Sequence, residues 1–426
     1  MKKNYFNNYL NKNFSFILFC TGLFLLPSAF VISAIFFLIS LLISTFKLRE
    51  YLYLDKFNIS FLIGSLLILL SAFMHSINNQ NLVKYDLDIS LTWIGLANWL
   101  PFLWCFWGFK PFLNDPEKRR ICGLILLSGT IPVLLSGLGQ VFLNWHGPFS
   151  TFFDLIIWYQ RPLKEVTGLT GLFNNANYAG SWLNVIWPFS LAFLIDSRKN
   201  IFDKISIYAF IFGISLSIIL TNSRSSWLGI VIGTILLYGQ KSYKIVVTLL
   251  IAISIIITAT IFPFFGTPVQ NITRSLIPES IWMEFSDFQY SRIEIWHKAL
   301  ETIFNHPIFG TGASSFPQIF EFQTGLWKGH AHNLPLELII SYGIPAGLFI
   351  LIPIFLITYL SIKYILSSRG RKEFSINDQA WITSLVVLLL SQMVDVQYFD
   401  GRISIILWVL LSGAKNIIDE KESTSI

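Results

Sequence analysis

The chain has 426 residues, of which 54% are hydrophobic and only 13% charged, with a net charge of +6. Soluble domains carry roughly 25% charged residues, so an ordinary soluble protein is excluded, and the short alternating strands of a β-barrel are absent. The positive balance is no nucleic-acid signal, because in a chain this apolar the positions of Lys and Arg report topology instead.

In chain order, apolar runs predict membrane spans over 14–27, 29–46, 57–74, 89–109, 121–143, 176–195, 205–221, 224–239, 243–264, 345–362, 379–397 and 403–414. Runs of about 18 residues suffice to cross roughly 30 Å of hydrocarbon. The expected fold is an all-α integral membrane protein with about twelve transmembrane helices. The first two spans are tight around Pro27 and are expected to form a hairpin, retained rather than cleaved as a leader. A further apolar segment, 334–343, precedes the tenth span and reads as re-entrant or interfacial.

With both termini placed in the cytoplasm, 21 of the 30 Lys and Arg residues fall in inside segments, so the basic bias supports that orientation. The expected organisation is helices 1–9 over 1–264, a large outer loop over 265–333, and helices 10–12 over 334–426. Cys20, Cys105 and Cys122 lie in or beside apolar runs without metal spacing, as packed hydrophobes do.

Two outer segments are long, 144–175 and 265–333. Long loops in a compact protein are usually functional or disordered. The second carries Trp282, Phe285, Phe288, Tyr290, Trp296, Phe304, Phe309, Phe316, Phe320, Phe322 and Trp327, aromatic surface that requires burial. Within it SRIEIWHKALETIFNHP (291–307) predicts an amphipathic helix. Ser291 and Glu294 form a capping box, Ile293, Trp296, Leu300, Ile303 and Phe304 share the apolar face, and Pro307 ends it. The glycine-rich 308–317 is expected to turn.

Outward basic residues are few, which makes each informative. Arg224, in TNSRSSWLG (221–229), sits at a tight turn at membrane level, where an arginine marks a functional site or snorkels from a helix end. Arg292 opens the loop helix, with an ion pair to Glu294 or Asp287 as its structural alternative. Arg161 and Lys164 precede GLTGLFNNANYAG (168–180), with plain solvation as their alternative. In GHAHNLPLELIISYGIPAGL (329–348), His330 and His332 flank the start of an apolar run containing Glu337. HxH without a further ligand nearby is weak metal evidence. Helix capping by His332 and Asn333 competes with a role as general base or proton donor. An ionisable residue such as Glu337 inside an apolar run is a functional candidate by default. His75, His146, His297 and His306 are isolated and receive no assignment.

Arginine forks pair bidentately with phosphate oxygens. Beside a neutral imidazole they suit a lipid-linked sugar diphosphate, with the arginines carrying the leaving-group charge and no metal or other cofactor required. Neither a P-loop nor a clustered pair of carboxylates appears in the outer loops.

GLFNNANYAG (171–180), TNSRSSWLG (221–229), RIEIWHKALETIFNHPIFGTG (292–312) and HAHNLPLELIISYGIPAG (330–347) together resemble the O-antigen ligase and polymerase superfamily over roughly residues 120–365. The resemblance implies a GT-C-like membrane glycosyltransferase of the bacterial inner membrane, with a large periplasmic loop. It would transfer glycan from undecaprenyl diphosphate to an acceptor hydroxyl, with inversion and without a metal. Acceptors would be a glycan, lipid A-core or another hydroxyl; no nucleic acid is implied. By the same resemblance Arg224 and Arg292 would hold the diphosphate, with Arg161 and Lys164 as further candidates, and His332, His330 and Glu337 would be catalytic. A chain polymerase on the same scaffold is the nearest alternative. A bicarbonate or other small-anion transporter is the alternative outside enzymes, although transporters place polar groups at mid-bilayer.

Overall fold

The computed structural model describes residues 2–48, 55–77, 85, 87–164, 168–196, 201–239, 266–275, 292–366 and 375–424, with isolated positions at 248, 251, 255 and 260. The described chain is helical apart from one small hairpin. In order run α1 (Lys2–Leu25), α2 (Phe30–Leu48), α3 (Lys56–Ile77), α4 (Ile89–Ile94), α5 (Leu100–Phe109), α6 (Pro116–Gly129), α7 (Ile131–Phe142), β1 (Phe149–Thr151) and β2 (Ile156–Trp158). They are followed by α8 (Ala176–Asp196), α9 (Ile201–Leu220), α10 (Arg224–Tyr238), α11 (Thr267–Ser275), α12 (Arg292–Asn305), α13 (Phe316–Thr324), α14 (Leu334–Leu366), α15 (Ile376–Gln392) and α16 (Gly401–Thr424).

Six helical stretches among the described residues are long and apolar enough to cross a membrane: 56–77, 89–112, 116–142, 176–196, 334–365 and 401–422; shorter apolar helices occupy 14–25, 30–46, 204–220 and 224–238. The structure thus has the all-α, multi-pass membrane character expected; among the described residues six full-length stretches and four shorter apolar helices fall on predicted spans. Span 243–264 lies almost wholly outside the described residues. The predicted α1–α2 hairpin around Pro27 is present, the two helices packing along their length. Outward-facing Phe14, Leu62, Leu66, Phe212 and Ile352 are exposed, a surface suited to hydrocarbon.

The centre of the bundle is α16, buried over nearly its whole span. It packs against α5, α14 and α15, and α15 packs most extensively on α8. Trp182, Trp381 and Trp408 are fully buried, and burial of an indole requires a partner for its N–H. Trp182 donates to Thr130 Oγ1 at 3.0 Å, Trp381 to the Leu410 carbonyl at 3.0 Å, and Trp408 to the Tyr398 hydroxyl at 3.0 Å. One end of the bundle is pinned by Arg119, whose Nε reaches Asp378 at 2.6 Å and whose Nη1 reaches Glu420 at 2.6 Å. That triad ties α6, α15 and α16 together. The other end of α15 and α16 is where the functional candidates gather.

Segment 334–343 stands apart from the tenth span as expected: α14 is two helices that meet at a non-helical Gly343 (φ 87°, ψ 167°). Two carbonyls and one N–H released by the kink are recaptured by the 307–312 turn. Thr311 N–H donates to Ile340 O at 2.7 Å, Gly312 N–H to Ser341 O at 3.1 Å, and Ile344 N–H to Pro307 O at 2.8 Å. Broken helices at membrane depth survive through such replacement bonds. The span predicted over 379–397 ends at Gln392 and gives way to a polar turn, while the span predicted over 403–414 extends across 401–424. The amphipathic helix is present as α12, but its buried face runs through Ile295, Ala299 and Ile303, whereas Leu300 and Phe304 are exposed. The buried line meets Phe316, Phe320, Ala331 and Ile340, so a small cap core formed with α13 and the start of α14 set the rotation of α12. The capping serine, Ser291, lies outside the described residues, as do Trp282, Phe285, Phe288 and Tyr290.

The hairpin β1–β2 was not anticipated. It pairs Phe149 with Trp158 in antiparallel register. Trp158 Nε1 donates to the Ser28 carbonyl at 2.8 Å, fastening the first long loop to the α1–α2 connection.

Candidate active site

The HAHN stretch ends in a helix cap. Asn333 Oδ1 accepts from Leu336 N–H at 3.0 Å, and its Nδ2 donates to Met393 O at 2.9 Å. One side chain therefore caps α14 and ties it to the turn after α15. The residue before it, His332, takes the left-handed backbone conformation (φ 49°). That conformation costs energy for a residue other than glycine, and such strain concentrates at functional positions.

The turn at 393–400 brings Asp395 to the histidines. His332 Nδ1 lies 2.9 Å from Asp395 Oδ1, and His330 Nε2 lies 3.6 Å from the same oxygen. The two imidazoles stand edge to face, centroids 4.3 Å apart. An ionised carboxylate only accepts, so His332 Nδ1 carries the proton and its Nε2 is left with a lone pair. Asp395 Oδ2 is held from behind by Asn177 Nδ2 at 2.9 Å and Gln397 Nε2 at 3.4 Å. Burial opposes the charge of Asp395, but the His332 hydrogen bond and the two imidazoles outweigh it and hold the carboxyl below the usual carboxylate range. His330 is pushed down to about 4 by burial and then by His332, partly offset by Asp395 and lowered further by Arg292. His330 is therefore neutral at physiological pH. Its Nδ1 accepts from the His332 backbone N–H at 3.2 Å.

Arg292, on the first residue of α12, is exposed and close enough to act electrostatically on His330. Arg224, exposed on the first residue of α10, stands at the same end of the bundle. Its turn meets the strand of chain leading into α8: Leu169 N–H donates to Leu220 O at 2.8 Å. Gly168 has no room for a Cβ there, which would fall 2.2 Å from Thr221 O. Arg161 and Lys164 are exposed on the first long loop. The Arg161 carbonyl accepts from Gln140 Nε2 at 2.6 Å, fastening that loop to α7. Glu337 is buried beneath the histidines, and its Oε2 accepts from the Ala331 N–H at 2.9 Å. The carboxyl holds the backbone between the two histidines.

Sequence reasoning missed Asp395, Asn177 and Gln397. Asn177 lay within a motif already singled out, where its signal was the run of asparagines opening α8; Asn175 caps that helix, its Oδ1 accepting from Asn177 N–H at 2.7 Å. His330, His332 and Asp395 each offer one donor atom, all within 4.8 Å, a set able to meet a divalent cation. The sequence argument against a metal rested on the lack of a third ligand, and Asp395 supplies one. The hydrogen-bond pattern nevertheless spends His332 Nδ1 on Asp395 as a proton donor, which suits a base oriented by a carboxylate.

No curated protein matches the chain. A family model described as O-antigen ligase matches residues 207–351, a stretch that contains Arg224, Arg292, His330, His332 and Glu337. Nothing in that match favours the anion-transporter alternative. Over residues 207–351 the chain is thus similar to the O-antigen ligase family.

Proposed function

We propose that the chain is a metal-independent, inverting glycosyltransferase of the O-antigen ligase type, GT-C-like with about twelve spans, in the bacterial inner membrane. Both termini are cytoplasmic, the 265–333 loop is periplasmic between the two helical regions 1–264 and 334–426, and the donor is a glycan on undecaprenyl diphosphate. The observation that carries the reading is the His332–Asp395 pair, with Arg292 alongside. Asp395 fixes the tautomer and orientation of His332. His332 Nε2 takes the proton from the acceptor hydroxyl as its oxygen bonds to the anomeric carbon. The bond from that carbon to the diphosphate breaks on the opposite face, and Arg292 and Arg224 take up the charge on the departing diphosphate. Arg161 and Lys164 extend the positive field along the first long loop, and Glu337 positions the histidines. A polymerase would use the same groups with a growing glycan as acceptor.

The test is transfer from purified undecaprenyl-diphosphate-linked glycan in detergent with EDTA, offering lipid A-core and oligosaccharide acceptors in parallel. Wild-type transfer, loss in His332→Ala and failure of Arg292→Lys to restore activity are expected, since a lysine lacks the bidentate fork. Transfer abolished by EDTA and restored by a divalent cation would replace the carboxylate–imidazole base with a metal centre.

A further inference from the structure

A cavity of about 320 Å³ opens beside the candidate active site, between the α1–α2 connection, the β1–β2 hairpin, the start of α8 and the start of α16. Its walls combine Tyr159, Tyr178 and Phe399 with Asp154, Asn174 and Asp400. Tyr159 and Phe399 are 38% and 40% exposed, large ring surfaces left uncovered at the cavity. The volume sits at the small end of the ~300–1,000 Å³ usual for small-molecule sites, a size for a single sugar residue.

The charges of the cavity exclude a phosphate. Arg402 is its cation, and both its forks are engaged: Nε and Nη2 on Asp400 at 2.9 and 2.6 Å, and Nη1 on Leu172 O at 3.1 Å. The guanidinium also lies 4.0 Å over the Phe173 ring. The N-terminus of α16 is already capped, because Asp400 Oδ1 accepts from Arg402 N–H at 2.9 Å. Asp154 adds a second carboxylate, bonded to Ser150. An anion would meet two carboxylates and a neutralised arginine. A neutral, hydroxyl-rich ligand would instead meet oxygens and an amide that take or give hydrogen bonds, next to ring faces that cover its C–H surface.

The cavity and the candidate active site share their framework. Tyr178 lines the cavity and follows Asn177, whose side chain holds Asp395. The turn carrying Asp395 continues directly into Phe399 and Asp400. We propose that this cavity binds the terminal saccharide of the acceptor and delivers its hydroxyl to the His332–Asp395 pair, an assignment that rests on the transferase reading. The diphosphate of the donor is taken by Arg292 and Arg224, neither of which lines the cavity. Acceptor choice then resides in the β1–β2 hairpin and the 395–402 turn.

Full-length protein in nanodiscs is exposed to a diazirine-bearing methyl glycoside, irradiated and mapped by mass spectrometry, with unlabelled methyl glucoside, galactoside, mannoside and N-acetylglucosaminide as competitors. Labelling within 154–159 or 399–402, competed by at least one glycoside, is expected. Tyr159→Ala and Asn174→Ala, both at exposed positions, should cut competed labelling ~tenfold. Labelling that no glycoside competes, or that both variants leave unchanged, overturns the assignment. Competed labelling at these peptides in a protein that transfers no glycan keeps the saccharide site and discards the transferase reading. Transfer without such labelling does the reverse.

Discussion

Asp395→Asn changes one atom of the candidate base and leaves its shape. Asp395 Oδ2 is met by two donors, Asn177 Nδ2 and Gln397 Nε2. An asparagine keeps its carbonyl toward those donors and so turns its amide NH₂ toward His332 Nδ1. Nδ1 must then accept, the ring proton moves to Nε2, and the base loses its lone pair. The charge-assisted bond alone is worth about 1.5–3 kcal/mol, which is ~10–150-fold in rate when it is realised in the transition state. Trapping the wrong tautomer adds to this, toward the ~10⁴-fold seen when a catalytic aspartate becomes asparagine in a serine-protease triad. The expected result is a kcat lowered by between ~10² and ~10⁴, with donor KM changed by less than about threefold. Because every polar atom keeps a partner, the melting temperature should barely move. Initial rates of glycan transfer at saturating acceptor, alongside thermal melting, make the measurement. A variant that melts as wild type does and transfers within about fivefold of its rate would remove Asp395 from the chemistry.

Other consequences follow from neighbouring contacts. Glu337→Gln keeps an acceptor for the Ala331 N–H and should retain most transfer activity, whereas Glu337→Ala orphans that buried donor at ~1–3 kcal/mol and should lower both melting temperature and rate; equal loss in both variants would make the carboxylate itself chemical. Gly343→Ala places a Cβ 2.0 Å from Ile308 O at a φ of 87° and should destabilise by on the order of 3 kcal/mol, read as a lower melting temperature; an unchanged melt would show that the kink is not needed. His330 is held neutral in the fold down to about 4 but takes a proton near pH 6.5 when unfolded. Its contribution is therefore complete above pH 6.5 and is lost as pH falls from there towards 4, by about 3 kcal/mol. Melting followed between pH 7 and pH 4 should fall more steeply for wild type than for His330→Gln, and parallel curves would contradict this.

The apolar runs and the arginine-bearing turn before α10 were legible in the amino-acid order because hydropathy and turn chemistry are local properties. Each needs only its own window of residues, and this is why the α1–α2 hairpin, α8, α10 and the end of α12 at Asn305 fall near their expected places. The HAHN segment could be singled out, with helix capping and proton transfer both open. The structure shows the cap on Asn333 and sets the His332 ring against a carboxylate.

Tertiary structure decided the rest. Asp395 lies 63 residues from His332 in the chain, and within its own surroundings it reads as one polar residue near a span end. Only the docking of α14 beside α15, fastened by Asn333 on Met393, makes it the partner of the histidines. The rotation of α12 was likewise set from outside. Both of its faces carry large apolar side chains, so its own periodicity left the register open until α13 and the start of α14 supplied a core to bury Ile295, Ala299 and Ile303. The kink at Gly343 has the same character: a glycine permits the conformation, but the released carbonyls are satisfied by a turn some thirty residues earlier. Local sequence determined which segments are apolar helices and which histidines and arginines stand as candidates. Packing between distant segments determined which of those residues meet, because the bonds joining them, from Asn177 to Asp395 and from Asp395 to His332, bridge helices far apart in the chain.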